Sequence, residues 1–260
     1  SEGELYEWER RILKAARPDG YTVEYKYDGL TIVLTYENGR FVRAVTRGNG
    51  VIGEDVTAQV LTIKSLPLSI PFKGVVEVQG EGLMRISELK KYNETAIEPL
   101  KNARNAAAGA IRNLDPKETA KRNLDIVFYA VNYIEGERLE SQRQAFEFLK
   151  KNRFKTGHHV FCKDIEEVME EIKKINENRH SLDFMIDGAV VKVDSYRERD
   201  ILGYTDKFPR WAVAYKFEAE EVTTIVEDVV WNVGRTGKLT PLALLSPVEL
   251  SGATVKRATL

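Results

Sequence analysis

The sequence predicts an α+β fold, antiparallel sheets with flanking helices, followed by a short all-β segment. Three observations carry this. Strand-like runs such as "YTVEYKY", "VVEVQGEGLM" and "DIVFYAVNYI" recur along the chain. Between them, residues 141–152 and 164–178 place apolar side chains three and four apart, the spacing of a one-sided helix. After Phe217 that spacing stops, and "EAEEVTTIVEDVVWNVGRTGKLTPLALLSPVEL" reads as short strands broken by Gly and Pro, the beginning of a small barrel. A boundary near 218–221 divides the chain into units 1–218 and 219–260.

The elements follow in order. Residues 4–17 form an amphipathic helix, closed by Pro18-Asp19-Gly20. Strands are expected near 21–27, 30–36 and 40–47, with "ENG" turning the last two into a hairpin. "TRGNGVIGEDVT" is a glycine-rich loop, and 75–84 is a strand. A helix begins near Ser87, which has N-cap chemistry. "NARNAAAGAIRNLDP" is a short helix stopped by proline. Residues 124–134 form a buried strand, and "DFMIDGAVVKVD" and "RWAVAYKF" are strands again.

Composition narrows the function. With 260 residues, 43% of them hydrophobic, the chain has material for a substantial core. Its 39 basic and 40 acidic residues give a net charge of −1, which argues against coating nucleic acid by bulk charge but leaves room for a local basic face. The single cysteine, Cys162, excludes an internal disulfide framework and a cysteine-based zinc cluster within these residues, and suits a reducing compartment. No apolar run approaches the ~20 residues of a membrane span.

Charged residues stand where a plain sheet carries none. In "VEYKYDGL", Glu24, Lys26 and Asp28 share one side of the strand alternation. Glu81, Lys192 and Lys216 each sit inside another strand-like run. Lys216 shares its side with Ala212 and Ala214, small residues that leave space above the sheet, so this face reads as a pocket floor. A lone lysine of this kind is a snorkelling or edge-strand residue. Three of them with acids, on separate strands, suit nucleotidyl transfer: one amine attacks phosphorus, the other cations offset its charge, and the carboxylates hold a cation or a nucleoside.

"EYKYDGL" resembles the lysine-x-aspartate-glycine motif of the covalent nucleotidyltransferases. The longer strings "TRGNGVIGEDVT", "NARNAAAGAIRNLDP", "IDGAVVKVD", "PRWAVAYKF" and "VGRTGKLTPLALLSPVELSGATVKRATL", in this order, resemble the NAD-dependent DNA ligases of bacteria over essentially the whole chain. The resemblance implies the nucleotidyltransferase (ATP-grasp-like DNA ligase) fold followed by part of an OB fold. It implies Lys26 as the nucleophile that takes AMP from NAD, Glu24 on the adenine amino group and Tyr129 stacked on the ring. Arg47 and Glu81 then lie near the ribose, and Lys192 and Lys216 on the phosphate. Asp28 serves the reacting end, and with Glu81 would hold Mg²⁺. Arg179 and Asp187 fall at further cofactor-binding positions, and Arg104 and Arg112 point toward phosphates and the DNA backbone.

Three positions depart from the pattern: Gln79 replaces an expected arginine, Ala103 a proline and Asn49 an aspartate. With 25 residues ahead of Lys26, the helical domain that grips the nicotinamide half of NAD is expected to be missing, and self-adenylation from NAD to be weak. The implied partner is nicked duplex DNA, met by a monomer in the bacterial cytoplasm. Basic residues at 101, 104, 112, 117, 121 and 122 supply a phosphate-binding patch. Two rivals remain: an ATP-dependent polynucleotide ligase, and a catalytically silent DNA-binding fragment.

Overall fold

The first helix, α1 (Glu2–Leu13), buries Leu5, Trp8 and Ile12 on one stripe and ends earlier than expected, at Leu13. The amides of Ala15 and Ala16 then turn back onto the Ile12 carbonyl. Strands β1 (Tyr21–Tyr27), β2 (Leu30–Glu37) and β3 (Arg40–Thr46) follow. The β2–β3 hairpin turns on Asn38 and Gly39, both at positive φ, as a tight right-twisted hairpin requires. Asp28-Gly29 does something different. It hands the chain from one sheet to another, for β1 and β2 belong to separate sheets.

A short helix α2 (Thr57–Val60), absent from the sequence reading, precedes β4 (Val76–Leu83) and α3 (Ile86–Thr95). Ser87 lies inside α3 and does not cap it. The carboxylate of Asp183, far along the chain, accepts both the Ser87 amide (2.8 Å) and its hydroxyl (2.5 Å), which a local motif search cannot find. Helix α4 (Ala103–Ile111) is capped by Asn102. Pro116 is the first residue of another helix, α5 (Pro116–Lys121), capped by Asp115, so the proline starts a helix as well as following one. Next come β5 (Asp125–Ile134), α6 (Gln142–Lys151), β6 (His159–Cys162), α7 (Ile165–Asn178), β7 (Ile186–Val193), α8 (Tyr196–Leu202) and β8 (Ala212–Lys216). The brief strand β6 and helix α8 are likewise not predicted from the sequence pattern.

This computed structural model describes residues 1–250 and 253–260. Ser251 and Gly252, inside the last string used for the resemblance, lie outside the described residues. The chain divides into two compact units, Ser1–Phe217 and Glu218–Leu260. The first holds two four-stranded sheets, ordered β6-β1-β7-β8 and β3-β2-β4-β5, with antiparallel pairing throughout. Each sheet has its own core. Val23, Val191 and Val193 pack with Leu5, Trp8 and Ile172 beneath the first. Ile32, Leu34, Tyr36, Val78 and Phe128 pack with Ala107 and Phe146 beneath the second. Each of the valine, leucine, isoleucine and phenylalanine side chains among them contributes roughly 1.5–3 kcal/mol by leaving water. The strand period then forces the residues between them onto the opposite faces, and those carry the polar groups.

The second unit contains β9 (Val226–Val233), β10 (Leu239–Leu250) and β11 (Ala253–Thr259), an antiparallel sheet with β10 in the centre. Gly237, at positive φ, sits in the β9–β10 turn.

Candidate active site

Strand register assembles the site. Lys26 on β1 lies opposite Gly188 on β7, which lies opposite Lys216 on β8; Glu24, Val190 and Ala214 make the next row, and Thr22, Lys192 and Ala212 the third. Lys26, Lys192 and Lys216 therefore share one face of one sheet, with Gly188, Ala212 and Ala214 as its low points. A side chain at Gly188 is excluded by backbone, since a Cβ there would stand 2.2 Å from the Tyr215 carbonyl oxygen.

Lys26 is the best-connected amine. Its Nζ donates to both carboxylate oxygens of Asp187, at 2.9 and 3.0 Å. Glu24 is buried and fully engaged: Oε1 accepts from Lys192 Nζ at 2.9 Å, and Oε2 accepts from Thr22 Oγ1 at 3.0 Å and Gln142 Nε2 at 3.2 Å. Asp28, on the crossover between sheets, pairs with Arg104 at 3.3 Å. Burial pushes its carboxyl above the usual range, against the pull of Arg104.

The second sheet supplies the facing wall. Glu81 on β4 is buried and lies opposite Thr31 on β2. Its Oε2 accepts from Thr31 Oγ1 and from the Tyr129 hydroxyl, each at 3.2 Å. Burial pushes the Glu81 carboxyl up to about 7 despite those two donors. Lys192 Nζ stands 5.2 Å from the centre of the Tyr129 ring, within cation–π range, and Gln142 Nε2 donates to the Tyr129 carbonyl at 2.8 Å. Those contacts join the polar faces of the two sheets.

Among the described residues, the other candidates make no hydrogen bond or ion pair with this cluster. Arg47 is exposed in the loop after β3. The glycines of that loop have structural causes: Gly48 and Gly50 take positive φ, and a Cβ on Gly53 would stand 1.9 Å from the Thr46 carbonyl. Asn49 closes the turn by accepting from the amides of Val51 and Ile52. Arg112 is exposed at the end of α4. Arg179 ends α7 with its guanidinium 5.2 Å from the Phe217 ring. In the basic patch, Lys121 pairs with Glu118 and Arg122 donates to the Ala106 carbonyl, so part of the expected phosphate-binding charge is committed within the fold.

Thr22, Thr31 and Gln142 join the cluster without being expected from the sequence. The alternation that selects Glu24 also selects Thr22. Gln142 opens a helix, with no local signal of its place in the site.

The donor set bears on a cation. Among the described residues no three His, Cys, Asp or Glu side chains form a ready cage. Magnesium is usually held by one or two carboxylates together with substrate phosphates, a mode that half-buried Asp28 beside Lys26 fits. Glu81 fits it less well, because it is buried and that burial disfavours its charged form.

Two polar sheet faces meeting over the Lys26 amine, with further lysines and buried acids around it, fit a ligase-type nucleotidyltransferase domain. The chain belongs to the NAD-dependent DNA ligases: residues 1–220 match the NAD-dependent DNA ligase adenylation domain, and residues 223–260 the NAD-dependent DNA ligase OB-fold domain. It is 57% identical over 261 residues to the DNA ligase of Alkaliphilus metalliredigens (strain QYMF), covering 99% of this chain and 40% of the relative. A DNA ligase of Clostridium botulinum (strain Hall) is 51% identical over 270 residues, covering 99% and 41%. The chain thus spans about two fifths of the length of these curated relatives. The solved structure described as Pmar-Lig_PreS3 superimposes with a TM-score of 0.51 at 14% identity, covering 98% of this chain and 53% of that one, a likeness of fold.

Proposed function

We propose that this chain captures the adenylate of NAD on Lys26, for transfer to the 5′-phosphate of a nick and sealing by the 3′-hydroxyl. The observation that carries the reading is the shared face of Lys26, Lys192 and Lys216, with Asp187 bound to the Lys26 amine. An ammonium has no lone pair, so its proton must leave before attack. Asp187, touching it through both oxygens, is placed to take that proton. The free amine then forms the N–P bond as the P–O bond to nicotinamide mononucleotide breaks. Lys192 and Lys216 offset the charge building on phosphorus.

If Lys192 turns from Glu24 to the phosphate, Glu24 Oε1 is freed to accept the adenine amino group. Tyr129 offers its ring to the base, with Glu81 and Arg47 on the ribose side. Asp28 would hold Mg²⁺ against the phosphates, where the cation neutralises charge. Nicked DNA is met through Arg104 and Arg112 with Lys101 and Lys117, by a monomer in the bacterial cytoplasm. Arg179, against Phe217 beside the Lys216 strand, supports that edge of the site.

The donor separates this reading from an ATP-dependent ligase. A chain of the relatives' full length carrying these residues is offered NAD or ATP, each labelled in the adenylate. Label retained on protein from NAD alone supports the proposal; label from ATP alone overturns it. Label from neither, with nicked DNA also unsealed, favours the silent DNA-binding reading.

A further inference from the structure

Gln142 is 1% exposed, and its side-chain amide makes four hydrogen bonds. Nε2 donates to Glu24 Oε2 (3.2 Å) and to the Tyr129 carbonyl (2.8 Å). Oε1 accepts from Arg199 Nη2 (3.1 Å) and from the Tyr196 hydroxyl (3.3 Å). The arrangement admits one orientation. A guanidinium has only donors, so the amide oxygen must face Arg199; a carboxylate and a carbonyl only accept, so the NH₂ must face Glu24 and Tyr129.

Arg199 cannot easily turn away. Its Nε donates to the Val193 carbonyl at 2.7 Å, and its guanidinium packs on the rings of Trp211 (4.0 Å) and Tyr196 (4.6 Å). The backbone N–H of Gln142 itself donates to the Asp194 carbonyl at 2.9 Å. Rigid backbone and stacked aromatics thus hold Arg199, Arg199 holds Gln142, and Gln142 holds one oxygen of Glu24.

We infer that Gln142 is a positioning residue for base selection: with Thr22 it pins Glu24 Oε2, so that Oε1 remains aimed at the amino group of adenine once Lys192 turns to the phosphate. This rests on the nucleotide pocket proposed above. A buried carboxylate that lost Lys192 with neither oxygen fixed would turn toward the nearest remaining donor and stop reading the base. The ligand selected is a 6-aminopurine nucleotide over one lacking that amine.

The test is the affinity of this chain for AMP and for purine riboside 5′-monophosphate, which lacks only the 6-amino group, measured by calorimetry on the same preparations. The ratio of the two dissociation constants does not depend on what fraction of the protein is folded. The unmodified chain should favour AMP by about tenfold or more, as expected of a hydrogen bond to a buried charge. Gln142→Met, similar in volume but unable to donate, should bring the ratio to within about twofold of unity, with Thr22→Val between. Glu24→Ala should abolish the preference. If Gln142→Met weakens both nucleotides equally and keeps the ratio while Glu24→Ala loses it, Gln142 merely packs and the inference is wrong. If Glu24→Ala keeps the ratio, or the unmodified chain binds neither nucleotide, the pocket reading itself fails and this inference falls with it.

Discussion

The Lys26 amine meets Asp187 through both carboxylate oxygens, at 2.9 and 3.0 Å, although the residues lie 161 positions apart and on different strands. The pairing is possible because β1 shifts register after Lys26, so that Tyr27 falls opposite Ile186 and the Asp28 amide reaches the Met185 carbonyl. Asp187 is thereby set beside the amine that, in the proposed reaction, has to lose a proton.

Replacing that carboxylate by its amide isolates the proton transfer. Asp187→Asn should slow formation of the lysine adduct by about a hundredfold, the scale of a lost general base. AMP affinity should change only a few-fold. Single-turnover adduct formation and AMP calorimetry separate the two, and an equal loss in both would make Asp187 a structural residue instead.

Glu81 gives a pH dependence. Its carboxyl is pushed up to about 7 by burial, from an ordinary value of 4.5. A raised folded-state value means that the folded chain holds the proton more tightly than the unfolded one. The contribution is fully present below about 4.5 and is lost as pH rises through about 7. The shift corresponds to roughly 3 kcal/mol. Glu81→Gln, which stays neutral, should flatten the fall in stability between pH 5 and 8. Urea unfolding at several pH values would detect this, and parallel curves for the two proteins would contradict it.

Gly188 separates Lys26 from Lys216. Gly188→Ala forces a Cβ against the Tyr215 carbonyl, so β7 and β8 must part. The cost should be about 1–3 kcal/mol, typical of overpacking. AMP binding should suffer beyond that loss, because the lysine row is displaced. Affinity measured well below the melting temperature distinguishes displacement from unfolding.

Much of this was legible in the sequence, for physical reasons. The two-residue period that puts Val23 in a core puts Glu24 and Lys26 on the opposite face, and the same logic placed Lys216 beside Ala214. Whole-chain strings also carried the family. What stayed hidden depends on distant partners. Ser87 looks like a cap until Asp183 arrives from 96 residues away. Asp28-Gly29 looks like an ordinary turn until β1 and β2 prove to lie in different sheets. Gln142 has no local mark, since its role arises from groups on β1, β5 and α8. Short elements such as α2 and β6 carry too few residues for a period to show.

The proposed reaction turns on Lys26 as the nucleophile. A chain of the relatives' full length carrying these residues would be incubated with NAD and Mg²⁺ and mapped by peptide mass spectrometry, before and after adding nicotinamide mononucleotide. AMP attached to Lys26 and removed by the mononucleotide, with no adduct in Lys26→Ala, is the expected result. AMP carried by another residue, or an adduct that survives in Lys26→Ala, would contradict the account.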